Sequence, residues 1–237
     1  MLQFGYHQLL QGCRECGKIK RCFANDLVGN PLDPVTPNLL HDLIQPKGRY
    51  IYYQGEDIKN LFFLKAGSVK NIYANNQGDQ QIINFYFPGE VIGLAHLYHS
   101  YYLSSAITLE KSIVCAFSLP FIQANCEKFP NLLKNILEHF NAEILHCHES
   151  LLAINHGIAS KRLGVFLLDL IHRQNLAHNR PILIRLTMSR ADIANYLGLA
   201  PETVSRVLGK YEKSGLILAN KKKIQINNLN KLTALVG

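Results

Sequence analysis

Residues Leu186 to Ile217 read LTMSRADIANYLGLAPETVSRVLGKYEKSGLI, the pattern of two short helices joined by a tight turn. Ser189 is placed to cap the first helix, whose apolar face is Ala191, Ile193, Ala194 and Leu197. Gly198 stands where that helix must end in a left-handed residue, and Leu199 plugs the turn. Pro201 opens the second helix, at a position where its missing N–H costs nothing. There Val204, Val207, Leu208 and Tyr211 face inward, which turns Glu202, Thr203, Ser205, Arg206, Gly209 and Lys210 outward. This spacing predicts a helix-turn-helix with the reading helix second. Arg206 can fork onto guanine O6 and N7, Glu202 can accept from cytosine N4, and Ser205 is small enough to lie against a thymine methyl. The bland alternative is a pair of packing helices in an enzyme accessory domain.

Downstream, Leu216-Ile217-Leu218 and Ile224-Gln225-Ile226 flank Asn220-Lys221-Lys222-Lys223. That reads as a hairpin wing whose lysines meet phosphate. The charge distribution agrees. Of 25 Lys+Arg and 17 Asp+Glu, residues 157–237 hold 13 and 4, a net of +9, while residues 1–156 hold 12 and 13, a net of −1. The whole positive excess sits beside the motif, as expected where one domain touches a polyanion. A solvated basic face is the competing reading.

Upstream, a second helix from Ala159 to about Gln174 carries Leu163, Phe166, Leu167, Leu170 and Ile171 on one face. Before it, from Pro130 to about Asn155, Leu133, Leu137, Phe140, Ile144, Cys147, Leu151 and Ile154 recur at spacings of 4-3-4-3-4-3. So narrow a seam predicts a two-stranded dimerisation helix rather than one lying on its own domain. His146 and His148 flank the seam.

From about 47 to 118 the texture is short β-branched and aromatic runs between Gly-bearing turns. Examples are Tyr50–Tyr53, Leu61–Leu64, Val69–Tyr73, Ile82–Phe87 and Ile113–Phe117. Turns every ten or so residues predict an antiparallel barrel or roll. A Pro-rich passage at Pro31, Pro34 and Pro37 precedes a short apolar helix candidate, Asn38–Ile44. The chain of 237 residues is 48% hydrophobic, ample for a core, and its apolar runs fall short of the roughly 18 residues needed to span a bilayer. With no basic-then-apolar leader at the start, a soluble cytoplasmic protein is expected. No Ser-His-Asp set, phosphate-binding glycine loop or paired catalytic carboxylates stand out, so an enzyme is not expected.

Barrel, long helix and winged helix-turn-helix in that order resemble the CRP/FNR superfamily of bacterial transcription regulators, from about Cys13 to the C-terminus. The densest likeness is Leu186–Arg190, Tyr196–Leu199 and Glu202–Arg206, and it is to the FNR branch. The resemblance implies an α+β fold: an N-terminal β-roll of the cupin-like, double-stranded jelly-roll type, a long dimerisation helix, and a C-terminal winged helix-turn-helix. It divides the chain into a cysteine-rich arm (1–27), the roll (28–120), the dimer helix (121–156) and the DNA-binding domain (157–237). In that branch the positions matching Glu202, Ser205 and Arg206 read TTGAT half-sites. Double-stranded DNA, a second copy of the chain and RNA polymerase are the implied partners, with no membrane.

Two sensor chemistries divide the superfamily. The cyclic-nucleotide branch holds phosphate and ribose with an Arg and a Glu, where this chain has Ser104 and Leu94. A phosphate site without a cation is poor, so no cyclic nucleotide is expected. The six cysteines, in a chain with no secretory leader, favour thiols or metal ligands. Cys13-x2-Cys16-x5-Cys22 offers three thiolates and Cys115 a fourth; four thiolates suit zinc or an iron–sulfur cluster equally. The 2,5 spacing with a distant cysteine resembles the [4Fe–4S] ligand set of the FNR branch, which assigns Cys13, Cys16, Cys22 and Cys115. Structural zinc, a different effector in the roll, and a Cys13/Cys16 dithiol redox enzyme are the alternatives. Cys126 and Cys147 match no ligand position. Arg21 and Gly17 stand where the branch has leucine and serine, and Cys147 where it has an aspartate that opposes dimerisation.

Overall fold

The computed structural model describes residues 20, 22–23, 41–155, 157–174, 176 and 181–236. The chain folds as two compact units, 1–144 and 145–237.

In the first unit two four-stranded antiparallel sheets form the roll. One runs β1 (His41–Gln45), β8 (Ser112–Ser118), β3 (Asn60–Ala66), β6 (Val91–Ile92), in that spatial order. The other runs β2 (Tyr50–Tyr52), β7 (Ser105–Thr108), β4 (Val69–Ala74), β5 (Gln80–Tyr86). The roll and its order with the helices are as expected. One element is corrected: the helix candidate 38–44 gives a strand over its described part. Leu43 and Ile44 pair with Val114 and Ile113 of β8, and five ladder positions outweigh a local helical preference. Between β3 and β4, Gly67 has φ 92°, and a Cβ there would come within 2.6 Å of the Ser112 backbone. Only glycine fits that turn.

After a short α1 (Leu119–Asn125), the 26-residue α2 (Pro130–Asn155) follows the predicted span. Its seam residues Leu133, Leu137, Phe140, Ile144, Leu151 and Ile154 are between 36% and 60% exposed, and Cys147 is exposed too. A second stripe interleaves with them. Leu132 and Ile136 are buried with Phe63, Cys115 and Phe117 of the roll, and Tyr86 Oη donates to Glu143 Oε1 at 2.8 Å. Burial of those two side chains stabilises the docked helix by about 1.5–3 kcal/mol each. The helix packs on its own roll by one stripe and leaves the residues of the 4-3 stripe exposed.

The second unit contains α3 (Ala159–Arg173), β9 (Ile182–Arg185), α4 (Arg190–Leu197), α5 (Pro201–Lys213), a hairpin of β10 (Ile217–Asn220) and β11 (Lys223–Ile226), and α6 (Leu229–Val236). β9 pairs with β11, making the wing three-stranded. Among the described residues no helix is long and apolar enough to cross a membrane.

Candidate DNA interface and thiol site

Local chemistry fixes the helix-turn-helix. Ser189 Oγ accepts from the Asp192 N–H at 3.0 Å, and Asp192 Oδ2 accepts from the Ser189 N–H at 2.9 Å, a complete capping box. Gly198 has φ 61°, and the next N–H, that of Leu199, donates to Ala194 O at 2.9 Å, closing the first helix in a Schellman turn. Arg162 Nη1 adds donors to Leu197 O and Gly198 O at 3.2 and 3.4 Å. Ile193, Ala194 and Leu197 are buried as expected, but Ala191 is exposed and Tyr196 takes its place inside. The registers of Tyr196 and Ala191 differ by about 140° around the helix, and the larger ring wins the core.

On α5, Val204, Val207, Leu208 and Tyr211 are buried. Tyr211 Oη donates to Ser160 O, tying the helix to α3, and burial pushes the phenol up to about 12. Glu202, Ser205, Arg206 and Lys210 are exposed on the opposite face, with Thr203 and Gly209 half-buried beside them. Lys221, Lys222 and Lys223 are exposed at the tip of the wing, where Lys221 takes a left-handed φ of 52°. Glu212 Oε1 accepts from Ala219 N at 3.1 Å, so α5 also holds the wing. Glu212, Arg162 and β9 escape sequence reasoning. The Ile-Leu-Ile-Arg alternation of β9 is the one available signal, while the side-chain contacts join distant residues.

Of the four proposed thiol ligands, Cys13 and Cys16 lie outside the described residues, as do Gly17 and Arg21. Cys22 and Cys115 are brought together in one buried cluster with Phe23, Phe63, Phe117, Leu132 and Ile136. The Phe23 ring lies 4.5 Å from that of Phe117, and Asn135 Nδ2 of α2 donates to Phe23 O at 3.2 Å. Phe23 is thus pinned to both the last roll strand and α2. A pocket of about 310 Å³ bordered by Lys20, Cys22, Asn135 and His139 opens beside it. Cys126 packs at the edge of the same cluster, and burial raises its thiol pKa. This keeps it a neutral hydrophobe.

In the roll, Leu94 is buried, and Ser104 is committed to His96 Nε2 at 3.1 Å. Tyr52 and Tyr102 stack at 3.8 Å beside them. Neither Leu94 nor Ser104 supplies a charge for a cyclic phosphate.

Two family descriptions match the chain: a cyclic nucleotide-binding domain over residues 45–128 and a Crp-like helix-turn-helix domain over residues 161–235. The fumarate and nitrate reduction regulatory protein of Salmonella typhimurium is 32% identical over 225 residues, 95% of this chain and 90% of that one. Electron transport regulator A of Shewanella oneidensis is 33% identical over the same shares. Among solved structures, FixK2 from Bradyrhizobium japonicum has a TM-score of 0.76 at 24% identity, covering 84% of this chain and 98% of its own. A CooA mutant from Carboxydothermus hydrogenoformans has a TM-score of 0.72 at 17% identity, covering 90% and 94%. Roll, long helix and winged helix-turn-helix, with a relative matched across nearly the whole length, place this chain in the CRP/FNR family of DNA-binding transcription regulators.

Proposed function

We propose that this regulator binds TTGAT-type palindromes as a homodimer while Cys13, Cys16, Cys22 and Cys115 hold a [4Fe–4S] cluster, and that oxygen ends this binding. The observation that carries the reading is the burial of Cys22 and Cys115 in one cluster that also contains Leu132 and Ile136 of the dimer helix. Two cysteines distant in sequence share one apolar cluster, and thiolates are the donors that an iron–sulfur centre uses. The names of the relatives, which concern fumarate and nitrate reduction and electron transport, support a role in anaerobic respiration.

Bound there, a [4Fe–4S] cluster would supply an oxygen-labile cross-link between arm and roll. Phe23, Leu132 and Ile136 then carry the consequence, because any shift of the Cys22 backbone repacks the ring and the helix stripe it touches. Asn135 holds the same segment to the helix. The uncovered seam from Leu133 to Ile154 would bury against its copy, setting two recognition helices about one DNA turn apart. Glu202, Ser205 and Arg206 read the bases, Thr203 and Lys210 border them, and Lys221, Lys222 and Lys223 contact phosphate. RNA polymerase is the further partner, and the chain acts as a regulator rather than an enzyme.

Protein purified without air tests the cofactor. It should be brown, with about four iron and four acid-labile sulfide per chain. Colourless protein with one zinc per chain would overturn the reading in favour of structural zinc.

A further inference from the structure

In sequence His146 merely flanks the seam; in the structure it is the centre of a polar cluster within the second compact unit. On α2, His146 and Ser150 sit one turn apart. On α3, Asp169 and Arg173 do the same, and Tyr196 of α4 lies two residues before the turn glycine Gly198. Arg173 Nη1 lies 3.0 Å from His146 Nε2 and 3.4 Å from Asp169 Oδ2, while His146 Nδ1 lies 3.3 Å from Asp169 Oδ1. The Tyr196 hydroxyl is 2.8 Å from Ser150 Oγ and 3.4 Å from His146 Nε2.

A guanidinium has donors and no acceptor, so in the 3.0 Å contact Arg173 Nη1 donates to His146 Nε2, which leaves Nδ1 facing Asp169. Burial alone would raise the Asp169 carboxyl, but His146 and Arg173 hold it below its usual range. The Asp169 carboxylate and the Arg173 guanidinium offset each other's charge, with their side chains only 14% and 11% exposed.

We propose that His146, Ser150, Asp169, Arg173 and Tyr196 form a positioning clamp that fixes the angle between the last turns of the dimer helix and the helix-turn-helix. The inference rests on the dimeric DNA-binding reading. Apolar packing lets helices slide by small amounts at little cost, whereas hydrogen bonds lose strength steeply with angle. The clamp joins three helices by such bonds: the dimer helix through His146 and Ser150, the first helix of the DNA-binding module through Asp169 and Arg173, and the helix-turn-helix through Tyr196. An angle error there is harmless for one half-site, since each module reads bases by itself. It is costly for a palindrome, where both modules must engage at a fixed spacing.

The test compares wild type with His146→Ala and Tyr196→Phe on two duplexes: the two-fold sequence that wild type selects from a randomised pool, and its isolated half-site. Selection from a pool makes the result independent of TTGAT and, if run without air, of any later oxygen effect. Each variant should bind the palindrome about tenfold more weakly, the worth of one hydrogen bond, with half-site affinity unchanged. His146→Gln, whose amide oxygen can accept from Arg173 and whose NH₂ can face Asp169, should restore palindrome binding. Tyr196→Phe keeps the ring packed 5.8 Å from Phe166, so it tests the hydroxyl without emptying the core. An unchanged palindrome-to-half-site ratio in the variants, or equal loss on both duplexes, overturns the clamp. A wild type that selects no two-fold sequence overturns the dimeric reading beneath it.

Discussion

Cys22 of the N-terminal arm and Cys115 of β8 are buried in the same apolar cluster, against Leu132 and Ile136 of α2. If both thiolates belong to one centre, Cys22→Ser and Cys115→Ser should each abolish iron and sulfide incorporation in protein prepared without air. Cys126→Ser, at the edge of the cluster with a thiol that burial keeps protonated, should retain both. Full iron content in Cys115→Ser would remove that residue from the ligand set.

Arg206 and the wing lysines lie on exposed surfaces with different chemistry, so their loss should look different. Arg206→Ala should cost about 1–3 kcal/mol on a TTGAT palindrome and relax the preference at its guanine. Replacing Lys221, Lys222 and Lys223 together should weaken binding to all DNA and flatten its salt dependence. Titrations on matched and mismatched duplexes at several salt concentrations separate the two. Equal loss on matched and mismatched sites would make Arg206 a phosphate contact.

Cys147 is exposed in line with the seam, and a thiol there brings no charge against a second copy. A neutral thiol behaves as a small apolar residue, whereas facing carboxylates at a partly buried seam repel. The cluster-free protein should therefore remain at least partly dimeric at micromolar concentration, and Cys147→Asp should shift it towards monomer. Sedimentation measures this; a clean wild-type monomer at tens of micromolar contradicts it.

His96 should make the roll acid-sensitive. Leu103 N donates to Nδ1, leaving Nε2–H to donate to Ser104, and burial lowers the imidazole from 6.5 to about 4. The unfolded chain takes up the proton first, so stability is full above about pH 6.5 and is lost as pH falls towards about 4. Between pH 7 and pH 5 the loss from this residue is about 2 kcal/mol. Denaturant titration of wild type and His96→Gln checks it, with the variant expected to show the shallower pH dependence and equal slopes counting against it.

What is legible in the sequence is mostly local. Ser189, Gly198 and Pro201 each impose a backbone conformation on their own turn, so the helix-turn-helix can be placed without any tertiary contact. The seam is legible because its period is uninterrupted. Less local features escape. Leu43 and Ile44 look helical beside their neighbours and become a strand only because β8 pairs with them. Leu132 and Ile136 are hidden by interleaving with the seam, and the partners of His146 lie on two other helices. Likewise, the spacing of the cysteines suggests a ligand set, but only the fold brings Cys22 to Cys115.

If the thiol site governs DNA binding, a single pair of titrations reveals it. Protein purified without air is titrated with a labelled TTGAT palindrome, then exposed to air and titrated again at the same salt concentration. Palindrome binding should be tight before exposure and largely lost afterwards, with the iron–sulfur absorbance falling in parallel. Equal affinity before and after, with the absorbance gone, would contradict it.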